Sequence, residues 1–245
     1  MLTDNDHNSA DDHQLSTDIE KFGWTVMLLE ATDYLPSFAY TVGLWQNYQH
    51  PEIIAFGLTI ETLHLILNDA GAMIKSGQTI EIGKLYNDFF ENDSDTQFLK
   101  VDSRNIADYF GYAINYYHPK DFPAIQLVWT DRNNKFPWDN NYELEFRQPL
   151  LDRNADFKFR EEKNLGVFTT EQWLLLGQPI LHVVHDMEGD WQFLTGDQMP
   201  EDAKLVALEQ MIIKDKTLND IFNLDSGEQA ESTYIGGAWT RRNIE

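Results

Sequence analysis

Short apolar runs separated by polar turns dominate the first half of the chain. Gly23 to Ala31 reads as a strand, and so does Phe38 to Leu44. Glu52 to Phe56 is apolar after its first residue, the pattern of a strand buried on both faces. The period then lengthens. From Thr59 to Lys75, the residues Leu63, Ile66, Leu67, Ala70 and Ile74 recur at helical spacing. Thr59 stands as the N-cap, with Glu61 and Thr62 in the first turn, and Gly77 follows as the stop. Thr79 to Leu85 and Thr96 to Val101 read as strands around the acidic loop Glu91 to Asp95. Asp102 or Ser103 then caps a predicted helix through Tyr117, with Ile106, Tyr109, Phe110, Ala113, Ile114 and Tyr117 on one face. His118-Pro119 ends it. Ala124 to Thr130 reads as another buried strand.

The second half is patterned differently. From Asn133 to about Leu165 the chain is irregular and charged. Ile180 to His185 and Trp191 to Leu194 then form a predicted hairpin across the turn Met187 to Asp190. Ala203 to Lys214 is predicted as a helix with Leu205, Leu208, Ile212 and Ile213 inward, and the end through Trp239 as loop. The expected organisation is a flexible acidic tail over 1–16, a domain over 17–150, a charged connection over 151–166 and a smaller unit over 167–245. Ser16 or Thr17 would cap a short helical turn at the start of the domain. The expected fold class is α+β, a mixed β-sheet with packed helices plus a small C-terminal α+β unit.

Charge narrows the partners. Forty-one acidic residues against 18 basic ones give a net charge of −23. Such a surface repels nucleic-acid phosphates and anionic lipid, and attracts a basic protein. The chain has no cysteine, which excludes disulfides, thiolate metal sites and a cysteine nucleophile. Residues 1–20 carry six acids and no base, unlike a signal or transit peptide, and no apolar run approaches membrane-spanning length. A cytoplasmic setting is the resulting expectation.

Three blocks carry a resemblance to a known family. They are Tyr40-Thr41-Val42-Gly43-Leu44, then His50-Pro51-Glu52 with Phe56-Gly57-Leu58, then Tyr109-Phe110-Gly111 with Gln126 to Asp131 and Phe136-Pro137-Trp138. Over roughly residues 17–140 the chain resembles the bacterial domain of unknown function numbered four-two-six-two. The resemblance implies a fold rather than a reaction. Thr130 stands where the family more often has proline. The segment 180–239, with its Gly-Asp-Trp-Gln-Phe-Leu box, is similar to tails that accompany this domain and loosely similar to small immunity proteins.

His50-Pro51-Glu52 is the leading polar cluster. On a strand, positions 50 and 52 share a side, so the imidazole and carboxylate would share a proton or a ligand. The plainer reading makes Pro51 the start of the strand and Glu52 a cap for a neighbouring element. His50, Glu52, Gln126 and Asp131 would surround a pocket lined by Tyr40, Tyr109 and Trp138, with room for a flat ligand such as a flavin. The plainer reading of the rings is core. Arg104 is the single cation near that pocket, which counts against a phosphate-bearing cofactor. His182 and His185 lie three apart on a strand and face opposite ways, so no metal site is expected there. Gly43, Gly57 and Gly111 form no phosphate loop and read as close backbone approaches or bulges. The sequence thus favours a non-enzymatic, acidic protein-binding protein, of immunity type toward a basic toxin. The alternative is a small-ligand or flavin-type domain. A homo-oligomer is a third possibility.

Overall fold

A computed structural model of the protein describes residues 15–90, 94–143 and 145–244. Most of the expected tail, including His7 and His13, and most of the acidic loop over 91–95 lie outside the described residues. The described chain is α+β, divided into two compact units. The first comprises residues up to Ala31 and Pro36–Ala155; the second comprises Thr32–Leu35 and Asp156–Glu245.

The first unit opens with helix α1 over 15–22, so Ser16 and Thr17 lie inside the helix rather than capping it. There follow β1 (Thr25–Leu29), β2 (Phe38–Val42), α2 (Leu44–Tyr48), β3 (Glu52–Phe56), α3 (Ile60–Lys75), β4 (Leu85–Tyr86) and β5 (Thr96–Lys100). Two short helices, α4 (Ile106–Tyr109) and α5 (Gly111–Tyr117), precede β6 (Ala124–Trp129). The sheet order is β1-β2-β3-β6-β5-β4, antiparallel except for the parallel β3–β6 pair.

Both faces of the central strands are covered, and β2, β3 and β6 are buried throughout. Helix α3 starts where the Thr59 hydroxyl accepts from the Thr62 N–H, and its buried stripe is the predicted one plus Gly71. That stripe packs with Ala39, Ile53, Ala55, Phe98, Ile125 and Leu127 in one cluster. On the other face Phe38 and Phe56 stack, and the Tyr109 ring meets both edge-on at 5.7 and 5.3 Å.

The structure corrects three local expectations here. Of Thr79 to Leu85, only Leu85 joins a strand, the two-residue β4. The predicted helix through Tyr117 is three pieces: a 3-10 turn at Ser103–Asn105 capped by Asp102, then α4 and α5 separated at Phe110 (φ −112°, ψ 38°). Gly43 and Gly57 have φ of 114° and 78°, and an added Cβ would lie 2.9 Å from the Gly23 carbonyl and 2.4 Å from the Arg147 carbonyl. Gly111 has no atom near a Cβ and is no close approach.

The second unit contains β7 (Gly166–Thr170), α6 (Glu171–Leu176), β8 (His182–His185), β9 (Trp191–Leu194), β10 (Ala203–Ala207), α7 (Leu208–Lys214), β11 (Glu228–Glu231) and β12 (Thr240–Asn243). Its sheet runs β10-β7-β9-β8-β11-β12. The β8–β9 hairpin pairs His185 with Trp191 and His182 with Leu194. The predicted helix over 203–214 is a strand followed by a helix. Leu205 and Ile213 are exposed rather than inward, while Leu208 and Ile212 are buried. The C-terminal segment expected as loop supplies β11, and β12 follows it.

One face of this sheet is core. Val167, Val183, His185, Trp191, Phe193 and Ala230 are buried there, with Leu208, Met211 and Ile212 of α7 also in the core. Tyr34 is the anchor of the short 32–35 segment. Its hydroxyl donates to Glu161 Oε2 (2.9 Å) and accepts from the Arg160 N–H (2.8 Å), and the Arg160 guanidinium lies over its ring. Burial, then the Glu161 charge, pushes the Tyr34 hydroxyl far above its usual range.

Candidate functional site

Two places merit a functional reading: a buried carboxylate in the first unit and an open sheet face in the second.

The carboxylate is Glu52. Pro51 lacks an N–H and stands just before β3. The Glu52 N–H is taken by the Pro123 carbonyl at 3.0 Å. The side chain is sealed from solvent. Oε2 accepts from the Thr41 hydroxyl at 2.6 Å. Oε1 accepts from the backbone N–H groups of Gly43 (3.1 Å) and Trp45 (2.9 Å) and from the Tyr117 hydroxyl in a short bond. The Tyr117 oxygen accepts from Gly43 N–H at 3.0 Å, and Thr41 Oγ1 from Ile53 N–H at 2.8 Å.

This hub exists because the chain leaves β2 through Gly43 in a left-handed conformation and at once begins α2. The first N–H groups of a helix have no internal partner. Glu52 and Tyr117 supply acceptors for them from two other elements, tying β2, β3, α2 and α5 together. Burial raises the Glu52 carboxyl to about 7, against the lowering by its hydrogen-bond donors. Burial, then the Glu52 charge, raises the Tyr117 hydroxyl as well. Chemically this is a positioning group: every bond it makes holds a neighbouring element in place. Helix α2 in turn walls a shallow cavity of about 300 Å³ lined by Lys21, Phe22, Gln46, Tyr48 and Lys75.

The other residues singled out in the sequence go elsewhere. His50 precedes the first residue of β3, so the strand period does not govern it. Its Nδ1 lies 2.8 Å from the Pro51 carbonyl oxygen, and burial lowers its pKa. Gln126 donates to the Pro149 carbonyl and accepts from Leu151 N–H, pinning the segment after the sheet. Asp131 accepts backbone N–H bonds from Asn133, Lys135 and Glu143. Burial opposes its charge, but those donors win and its pKa falls. The Tyr40 hydroxyl accepts from Tyr112 N–H at 3.0 Å, and burial pushes it up to about 12. Tyr109 is core. Trp138, partly exposed, stacks on Phe136 at 4.7 Å. His50, Glu52, Gln126 and Asp131 therefore make separate local sets of hydrogen bonds.

The histidines of β8 also separate. His182 contacts Gln229 Oε1 at 2.9 Å, whereas His185 contacts the Leu224 carbonyl at 2.7 Å and stacks on Trp191. Among the described residues no group of three or more His, Asp or Glu is placed to hold a metal ion.

The second candidate was missed in the sequence because Leu205 was assigned inward, on a helix, and Phe168 and Met199 were given no role. On the outer face of the second sheet, Phe168 of β7 sits opposite Leu205 of β10 and beside Gln192 of β9. Phe168 is 43% exposed, Met199 59% and Leu205 67%. A groove of about 430 Å³ opens here, lined by Phe168, Leu194, Met199, Pro200 and Ala203. The loop before β10 carries Asp197, Glu201 and Asp202 and no base. The Met199 N–H and the Gln172 amide hold Asp202 below its usual range, so it stays ionised.

Among known proteins, one family model matches, described as a domain of unknown function (DUF4262), over residues 18–143. No curated protein and no solved structure matches the chain. No helix among the described residues is long and apolar enough to cross a membrane.

Proposed function

This chain belongs to the DUF4262 family of domains of unknown function, and we propose that it is an acidic binder of a basic protein. The observation that carries the reading is the open face of the second sheet: an apolar groove with exposed Phe168, Met199 and Leu205, next to a loop bearing Asp197, Glu201 and Asp202, in a chain of net charge −23. Apolar anchors supply affinity while charge of one sign steers a partner of the other. An immunity-type role, covering the working surface of a basic toxin in a bacterial cytoplasm, is the specific form of this proposal.

A second reading, a small-ligand domain, draws on the cavity at α2, where Lys21 and Lys75 would suit an anionic molecule. Native mass spectrometry separates the two. The purified protein is mixed with the basic products of its neighbouring genes. A complex that weakens with added salt supports the binder. Protein that carries a small molecule and forms no such complex overturns it.

A further inference from the structure

Resting on that reading, we infer that β10 is the docking edge: it accepts an extended segment of a basic partner as an added strand, with one apolar side chain of that segment entering the groove beside Phe168.

The argument begins with the ladder. β10 and β7 pair antiparallel, Ala203 with Thr170 through Ala207 with Gly166. In such a pair, residues alternate between exchanging backbone bonds and turning them outward. The Leu208 N–H bonds the Leu165 carbonyl, which puts residue 208 in the inward-bonding set together with Lys204 and Val206. Ala203, Leu205 and Ala207 then turn their N–H and C=O groups away from β7. The side chain of Gln210 meets the Ala207 N–H at 3.2 Å, on the outward side as required. Among the described residues no strand pairs beyond β10. The Ala203 N–H is held by the Pro200 carbonyl, so the N–H and C=O of Leu205, with the Ala203 carbonyl, form the free template of the kind that pairs with an incoming chain.

Side chains define the segment that fits. Ala203 and Leu205 belong to the open face, adjacent to the groove floored by Phe168 and Leu194. A residue added beside Ala203 reaches that groove, so it should be apolar. Glu201 and Asp202 stand at one end of β10, while Glu209 at the other is paired with Lys163 at 3.2 Å. Lys204, the lone cation of β10, is already paired with Glu171 at 2.8 Å. The complementary sequence alternates apolar and cationic residues. A second copy of this chain is the poorer occupant, because it brings the same acids against these.

The probe is a fluorescein-labelled peptide, Lys-Val-Lys-Phe-Lys-Val-Lys, titrated against the full chain by anisotropy, with hydrogen exchange on the complex. The control peptide replaces each Lys by Glu. The cationic peptide should bind at least tenfold more tightly and slow exchange over 203–207. Leu205→Pro should weaken it at least tenfold, since proline on an outward N–H leaves the internal ladder intact while removing the donor. Leu205→Lys, which keeps the backbone, should weaken it severalfold through charge and the lost apolar contact. Thermal unfolding of each variant shows that the fold survives.

Protection elsewhere with 203–207 unchanged overturns the docking edge. So does equal binding by wild type and both variants. Concentration-dependent dimerisation of the chain alone that protects 203–207 overturns it in favour of a second copy. In each of these cases a salt-sensitive complex with a basic gene product would leave the broader proposal standing, and its absence would remove that as well.

Discussion

Replacing Glu52 by glutamine tests the buried hub directly. The carboxylate accepts from four donors, two of them backbone N–H groups. An amide presents an NH2 to some of those donors. Leaving one buried donor unsatisfied costs about 1–3 kcal/mol, so Glu52→Gln should be destabilising. The pH dependence is more diagnostic. The carboxyl stands at about 7 in the folded protein against 4.5 as its ordinary value. A raised acid binds more protons folded than unfolded between those values, so its contribution to stability is fully present below the lower one and is lost as pH rises through the upper one. A shift of this size corresponds to a loss on the order of 2–3 kcal/mol between pH 5 and pH 8. Glutamine does not titrate. The stability gap between wild type and Glu52→Gln should therefore narrow by that amount from pH 5 to pH 8. Urea unfolding of both proteins at the two pH values, followed by tryptophan fluorescence, measures the gap. Taking the difference cancels the many other acids of this chain. A gap that stays constant, or widens with pH, would refute the reasoning.

Other consequences are smaller in scope. Tyr117→Phe removes a donor to Glu52 and an acceptor for Gly43; it should cost about 1–2 kcal/mol and move the narrowing of that gap to higher pH, read in the same urea series. Gly43→Ala forces a Cβ against the Gly23 carbonyl at a φ of 114° and should lower stability by about 2 kcal/mol or more, seen as a fall in melting temperature. Tyr34→Phe strips the hydroxyl between Glu161 and the Arg160 N–H. It should cost about 1–3 kcal/mol and speed amide exchange at residues 182–194 while leaving 38–56 unchanged.

How much of this was legible depended on how many structures each local pattern allowed. β3 and α3 were read closely, because a continuous apolar run of four and a five-membered helical stripe with a threonine cap leave little choice. The plainer reading of Glu52 as a cap is the geometry found, but its partners Thr41 and Tyr117 lie 11 and 65 residues away. No spacing rule reaches them. The stretch 203–214 failed because Leu205, Leu208 and Ile212 satisfy a helical period, while β10 is an edge strand with only a half-buried side to pattern. β11 and β12 failed similarly: Glu228-Gln229-Ala230-Glu231 and Thr240-Arg241-Arg242-Asn243 are polar, and pairing rather than alternation makes them strands. Gln126 and Asp131 bond backbone groups of later segments, and no spacing in the sequence identifies those partners.

The central claim is that this protein grips a basic chain through its second unit. The most direct measurement is hydrogen exchange of the whole protein with and without the basic partner found by native mass spectrometry. Slowed exchange over 166–170 and 203–207, with residues 40–52 unchanged, is the predicted result. Protection confined to 40–52 and the cavity at α2, with the second sheet unaffected, would contradict it.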